Sequence, residues 1–319
     1  MKKIVYRAMD GVMYGMMNYI QWQLRHDVIT QEILEKYLNK YASWDRSSYF
    51  KLMPIEKIID EPGMLSWQSP ISSCFVQNNR ARALFFPASK KQHSDSPTLI
   101  ILHALMSSSD RGYRNIASHM NKQGWNVLFP HLPFHYSRTP LHHANGALAI
   151  TSNLVRTAET LRQAVQEIRQ LIHLCQDRGV ERIGLLATSY GGWIGSLLLS
   201  VEEVDFAILL QPIINLNLAL FDSPLARVMG SLLLHHQITR EHLDRHAHLT
   251  APSHAKPLTS PKRIMVIGGA FDHIAPPQEL KHFTSKWNLH YEEVGQGHFG
   301  YQAMRRALIF MDTLCKAPQ

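Results

Sequence analysis

The sequence predicts an α/β protein with a mostly parallel, twisted sheet and helices on both faces. Short apolar runs recur from about residue 55, and segments with helical periodicity separate several of them. The early runs resemble antiparallel strands, whereas the later ones alternate with helices, as in a parallel sheet. The predicted strands are Ile55–Ile59, Ala83–Phe86, Leu99–Leu102, Val127–Phe129, Ile183–Leu186, Phe206–Leu210, Ile264–Ile267 and Tyr291–Val294.

Helical periodicity is clearest in four places: near the N-terminus, over residues 30–41, from Leu161 to Cys175, and from Met304 toward the C-terminus. The first two predict an N-terminal helical extension over residues 1–50, followed by a main domain over residues 51–319. The sequence leaves two roles open for the first helix: packing on the main domain, or peripheral contact with a membrane surface.

One segment interrupts the alternation of strands and helices. The chain between the strands at Phe206–Leu210 and Ile264–Ile267 is far longer than connecting loops, which rarely exceed about 15 residues. We expect a helical cap insertion over about residues 215–257. Ligand pockets of open α/β sheets form at the carboxyl ends of the strands. The cap is therefore predicted to lie above Ser189, which follows the predicted strand Ile183–Leu186.

Composition excludes several classes of protein. Of the 319 residues, 45% are hydrophobic and 18% are charged, which is typical of a globular chain. Three cysteines are too few for a disulfide framework, and no apolar run is long enough for a transmembrane helix. The net charge of +8 is scattered rather than clustered, so no nucleic-acid partner is expected. The first helix lacks a secretory cleavage pattern, which favours a cytoplasmic protein.

Residues 183–195 carry the strongest motif, a strand that turns sharply into a helix. Ser189 stands at the turn, with Ala187 two positions before it and Gly191 two positions after it. Small neighbours are needed there because the strand and the helix approach closely, and the turn exposes the serine hydroxyl above the sheet. The motif predicts a nucleophile elbow.

Two further loops follow in the order serine, acid, histidine. Asp272 follows a buried strand and a pair of glycines, and His298 stands in a Gly-x-Gly-His turn after the last strand. With these motifs, residues 55–317 resemble the α/β-hydrolase superfamily, although Ala187 replaces the first glycine of its usual serine motif. The resemblance implies that Ser189, Asp272 and His298 form a catalytic triad.

Alternatives exist for two of these roles. Asp222 is a competing acid, because some superfamily members carry the acid beyond the preceding strand. His273 and His290 compete as the base. The resemblance further implies an oxyanion hole formed by the backbone N–H groups of Tyr190 and Leu105.

Other histidines are interpreted as structural. His103 is expected to pack within its loop, and residues 129–140 either pack or line a pocket entrance. His242 and His246 share a helix face, but no acid or cysteine stands at a fixed spacing to complete a metal site. No metal or organic cofactor is expected.

The resemblance implies a serine hydrolase that cleaves a carboxylic ester through an acyl-enzyme intermediate. Its substrate would be a small acyl compound, and lipid-like acyl compounds are among the candidates. A non-catalytic scaffold, or an acyltransferase, thioesterase or lipase that uses the same triad, stays open as an alternative. The oligomeric state also stays open.

Overall fold

A nine-stranded sheet organises the computed structural model, which describes residues 2–88 and 96–316. The strands are β1 Ile58–Glu61, β2 Met64–Gln68, β3 Arg80–Phe86, β4 Thr98–Leu102, β5 Asn126–Pro130, β6 Ile183–Thr188, β7 Phe206–Leu210, β8 Ile264–Gly269 and β9 His290–Val294. Their order in the sheet is β1-β2-β3-β5-β4-β6-β7-β8-β9. The first three strands pair antiparallel, β3 pairs antiparallel with β5, and the rest of the sheet is parallel. The predicted fold class is confirmed.

Helices cover both faces of this sheet. They are α1 Lys2–Gln23, α2 Gln31–Tyr41, α3 Arg46–Tyr49, α4 Arg111–Lys122, α5 Leu154–Asp177, α6 Tyr190–Leu198, α7 Arg227–His235, α8 Arg240–Thr250, α9 Pro277–Trp287 and α10 Gln302–Lys316. Helices α4 and α10 bury their apolar stripes on one face, and α5, α6 and α9 bury theirs on the other. The sheet therefore separates two apolar cores, and its strands are buried from both sides.

Strand β2 is absent from the sequence prediction, and β1 begins at Ile58 rather than at Ile55. The two strands form a hairpin in which Glu61 pairs with Met64. Pro62 and Gly63 make the connecting turn, and Gly63 has a positive φ of 78° that glycine adopts at little cost.

The N-terminal extension and the insertion after β7 pack against each other and on α5. Tyr37 of α2 donates a 2.6 Å hydrogen bond to Glu159 of α5. Arg46 of α3 is buried at the end of α8, where its guanidinium donates to the carbonyl oxygens of His248 and Ala251. These carbonyls lie at a helix C-terminus, where intrahelical donors are missing. Arg46 therefore caps α8 from another part of the chain.

Replacing Arg46 with methionine should destabilise the protein by roughly 3 kcal/mol, because buried carbonyl groups would lose their donors. Arg245→Met is the matched control. It removes a more exposed tie between the same two parts of the chain, the ion pair of Arg245 with Glu35, and should cost no more than about 1 kcal/mol. Urea denaturation of both variants measures the difference. Equal losses would contradict the capping role of Arg46.

Candidate active site

The sheet order brings the predicted site residues to one edge. Strands β4, β6, β7, β8 and β9 are successive neighbours and run parallel. Leu105, Ser189, Asp272 and His298 each follow the carboxyl end of one of these strands. In open α/β sheets this edge is the usual place for a ligand site.

The turn between β6 and α6 holds Ser189 in a strained conformation. Its φ is 53°, a region that residues other than glycine rarely occupy. The Ser189 N–H donates a 2.8 Å hydrogen bond to the carbonyl of Leu210. A Cβ on Gly191 would lie 2.5 Å from the carbonyl oxygen of Leu102, so only glycine fits there.

Ala187 is compatible with this turn because its neighbour in α6 is small. A Cβ added to Gly195 would lie 3.0 Å from the Cβ of Ala187. The glycine at 195 therefore leaves the room that the extra methyl group of Ala187 needs.

A chain of short hydrogen bonds connects three of the predicted residues. The Oγ of Ser189 is 2.7 Å from Nε2 of His298, and Nδ1 of His298 is 2.7 Å from Oδ2 of Asp272. A carboxylate only accepts hydrogen bonds, so Nδ1 carries the imidazole proton and Nε2 is left to accept from the Ser189 hydroxyl. All three residues are buried. This arrangement can move a proton from the serine to the histidine.

Among the residues that the structure describes, four donors converge on the carboxylate of Asp272. Besides His298, the side chain of Gln211 donates to Oδ2 at 2.5 Å, and the N–H groups of Ile274 and Ala275 donate to Oδ1 at 2.8 and 2.9 Å. The side chain of Gln296 in turn donates to Oε1 of Gln211 at 2.6 Å. The two glutamines thus orient the acid, a role that the sequence prediction missed.

The competing residues lie elsewhere. Asp222 is exposed and pairs with Arg240 at 2.6 Å, whereas His298 is buried beside Asp272. His273 is exposed, and His290 is exposed on β9. The structure therefore brings neither the alternative acid nor the alternative bases into the chain of hydrogen bonds with Ser189.

The two predicted oxyanion donors lie in the turns after β6 and β4. Tyr190 is the first residue of α6, so its N–H has no acceptor within the helix and points along the positive end of the helix dipole. Leu105 is half-buried in the turn after β4. Their role in stabilising an oxyanion stays a prediction.

Two neutral histidines hold the turn after β4. Nε2 of His135 accepts from the N–H of Met106 at 3.1 Å, and Nε2 of His103 accepts from the N–H of Leu132 at 3.2 Å. Both accepting nitrogens must be unprotonated. Burial agrees with this, because it lowers the pKa of His135 to about 4 and that of His103 well below its usual value. His103 and His135 therefore act in packing the loops beside Leu105.

An unpredicted carboxylate reaches the histidine loop from α1. Asp10 is buried, and its oxygens accept from the backbone N–H groups of His298 at 3.3 Å and Phe299 at 3.4 Å. A Cβ on Gly297 would lie 2.3 Å from the Asp10 carboxylate, so the glycine at this position permits the contact. Helix α1 thus reaches the histidine loop through Asp10, which supports the backbone that carries His298.

Tyr14 lies one turn beyond Asp10 on the same side of α1. Its hydroxyl is buried and makes no hydrogen bond to the part of the chain that the structure describes. Burial is the main cause that raises the pKa of Tyr14, and the charges of Asp10 and Asp272 add to the effect. The Tyr14 hydroxyl is therefore a second polar group, beside Asp10, on the inner side of α1.

The insertion after β7 is helical, with a short turn of helix at Leu218–Asp222 followed by α7 and α8. Together with α9, it borders a half-open cavity of about 410 Å³ whose walls include Asn215, Asp244 and Glu279. Neither Ser189 nor His298 lines this cavity. Control of substrate choice by the insertion stays a prediction.

The histidines of α8 take part in packing. His242 accepts from the N–H of Thr239 at 3.1 Å and faces Glu35, and His246 contacts the hydroxyl of Tyr49 at 3.4 Å. Within residues 2–88 and 96–316, no group of three or more His, Cys, Asp or Glu side chains is arranged to hold a metal ion.

Asp10→Asn should change how stability depends on pH. Burial is the largest influence on Asp10 and raises its pKa above the ordinary 3.8, although the two N–H donors partly offset it. The folded protein therefore binds this proton more tightly than the unfolded chain does. The free energy of unfolding of the wild type, relative to that of Asp10→Asn, should fall as the pH rises from 3.8 through the raised pKa.

Asp45→Asn is the control with the opposite sign. Hydrogen bonds from Ser48 lower the pKa of Asp45, so the stability contributed by this carboxylate is lost as the pH falls below 3.8. Urea denaturation over a pH series measures both differences. A difference for Asp10 that is constant or rises with pH would contradict the assignment.

The fold is shared with several solved enzymes. An acetyl xylan esterase from a Paenibacillus species aligns with a TM-score of 0.61 and 12% identity, covering 92% of this chain and 98% of that one. Acetyl xylan esterase 1 from a Thermoanaerobacterium species has a TM-score of 0.56 and 13% identity, covering 93% and 98%. Acylaminoacyl peptidase from Pyrococcus horikoshii has a TM-score of 0.54 and 14% identity over 85% of this chain, which spans only 43% of that enzyme.

No family model and no curated protein matches the sequence. The structural likenesses, at such low identity, concern the fold. Together with the sheet order and the turn at Ser189, they confirm the resemblance found in the sequence: the chain has the α/β-hydrolase fold.

Proposed function

We propose that this protein is a serine hydrolase that cleaves a carboxylic ester through an acyl-enzyme intermediate. The observation that carries the proposal is the continuous chain of 2.7 Å contacts from Ser189 through His298 to Asp272. A serine hydroxyl is a weak nucleophile by itself, and a neutral imidazole at hydrogen-bonding distance activates it by accepting its proton.

The proposed reaction has two halves. In the first, the Oγ of Ser189 attacks the acyl carbon while its proton passes to Nε2 of His298. The N–H groups of Tyr190 and Leu105 stabilise the negative oxygen, and His298 then protonates the departing alkoxide. In the second, a water molecule replaces the alcohol and the same proton transfers release the acid and restore Ser189. Asp272 keeps the imidazole in the required tautomer throughout.

An ester is preferred among acyl substrates because its leaving group needs the least assistance. The similar structures are named as esterases and as a peptidase, so the fold itself leaves the acyl bond open. A thioesterase, a lipase or an acyltransferase would use the same three residues. A non-catalytic scaffold would have no need of the buried donors that orient Asp272, which favours an enzyme.

Ser189→Ala should reduce p-nitrophenyl acetate hydrolysis by at least about a thousandfold and abolish labelling by a fluorophosphonate probe. The matched control is Ser196→Ala, because Ser196 is buried two turns along α6 and its hydroxyl donates to the carbonyl of Gly192, within the same helix. This control should keep both activities. Labelling of Ser189→Ala, or its absence in the wild type, would contradict the proposal.

Asp272→Asn should lower the hydrolysis rate by roughly four orders of magnitude, because an amide favours the wrong imidazole tautomer. Asp222→Asn removes an exposed ion pair with Arg240 and should change the rate by less than about twofold. Rates are compared after circular dichroism has shown that both variants are folded. A larger loss for Asp222→Asn would transfer the role of the acid to that residue.

A further inference from the structure

Helix α1 exposes an apolar side to solvent. Its outward residues recur at intervals of three and four, so they form one stripe along the helix. We call this stripe the outer face of α1, and its large members are Ile4, Val5, Met9, Val12, Met16, Tyr19 and Trp22. Val12, near its centre, is 73% exposed. A surface helix of a globular protein usually has the opposite arrangement, with its polar side outward.

Polar contacts on the inner side fix this orientation. Asp10 accepts from the loop of His298, the side chain of Asn18 bonds to the carbonyl of Pro224 and to the N–H of Val228, and Gln21 donates to the carbonyl of Ile150. Turning the helix to bury its outer face would break all of these contacts. The apolar stripe therefore faces outward because the polar side of the helix makes these contacts with the protein.

The charges around the outer face are mostly positive. Residues 2–27 include four Lys or Arg residues and two acids, Asp10, which is buried on the inner side, and Asp27, which pairs with Arg156. Arg7 is exposed, and the guanidinium of Arg25 lies 4.2 Å from the ring centre of Trp22, at the far end of the stripe. The face thus combines apolar side chains with a cation toward each end, and both carboxylates of this segment are held by contacts with the rest of the protein.

This combination favours one kind of partner over another. In a symmetric contact between two copies of the chain with antiparallel helices, the cations at one end of α1 would meet those at the other, which is unfavourable. An anionic lipid surface instead accepts apolar side chains among its acyl chains and pairs cations with its phosphate groups. Within the described residues no helix is suited to cross a bilayer, so the contact would be peripheral.

We propose that the outer face of α1 binds the surface of an anionic lipid bilayer. Given the serine hydrolase function proposed above, on which this part rests, the substrates are acyl esters that partition into that bilayer. Asp10 touches the loop of His298 from the opposite side of the same helix. The candidate site would therefore lie about one helix diameter, roughly 10 Å, from the lipid surface.

The test measures binding of the purified full-length Ser189→Ala protein to vesicles, so that no lipid is consumed. Vesicles of phosphatidylcholine with phosphatidylglycerol should bind the protein, and pure phosphatidylcholine vesicles or raised salt should weaken the binding. Val12→Glu should lower the partition coefficient about tenfold, because it places a charge in the centre of the stripe. Ile309→Glu, which alters an exposed apolar residue of α10, is the matched control and should bind normally.

Activity measurements separate this proposal from the proposed function. With Ser189 present, Val12→Glu should hydrolyse soluble p-nitrophenyl acetate at the wild-type rate but a vesicle-borne long-chain ester more slowly. The docking proposal is overturned if the protein does not bind anionic vesicles. It is also overturned if the Val12→Glu variant binds them as well as the protein with Val12 does. Light scattering could instead show a dimer that Val12→Glu dissociates, in a protein that does not bind vesicles. The partner of the outer face of α1 would then be a second copy of the chain and not a lipid surface. If the wild type binds anionic vesicles but does not hydrolyse soluble p-nitrophenyl acetate, only the serine hydrolase function is refuted.

Discussion

The candidate site depends on how closely β6 and α6 approach at Ser189. The chain reverses there within one residue, and that residue accepts a positive φ that costs energy in an L-amino acid. The surrounding packing enforces it, because Gly191 lies directly against the backbone at the end of β4. The serine hydroxyl is consequently lifted toward the ends of β8 and β9. Short loops after those two strands then suffice to deliver Asp272 and His298.

The loop of His298 is held from several directions by parts of the chain that are remote in sequence. Asp272 fixes the ring, Gln211 bonds to the carbonyl of Gly297, and Asp10 accepts from the two following N–H groups. Each support comes from a different element of the fold. Orientation of the imidazole is therefore a property of the whole edge of the sheet, which is the kind of preorganisation that a general base requires.

The features that the sequence predicts correctly are those with a local pattern. Windows of about ten residues suffice to recognise the strands on either side of Ser189, the glycines beside it and the loops of Asp272 and His298. The hairpin of β1 and β2 had a local signal as well, in Pro62-Gly63, but its strands are short. Asp10 and Gln211 had none, because their function consists of contacts with residues far along the chain. For α1 the apolar stripe was visible, but the pattern cannot say which side faces the protein, and here the apolar side faces out.

The contact of Asp10 with His298 spans 288 positions of the chain. Contacts between such distant residues pay the loop-closure entropy of nearly everything between them, so they form late, after local helices and neighbouring strands. Asp10 must wait for β9 and its loop before its carboxylate finds these two N–H donors. Assembly of the histidine loop is therefore coupled to completion of the whole domain, and a partly folded chain would carry the serine turn without a correctly supported base. For the hydrolase proposed above, such an order of events would keep the serine from being activated before the protein around it is complete.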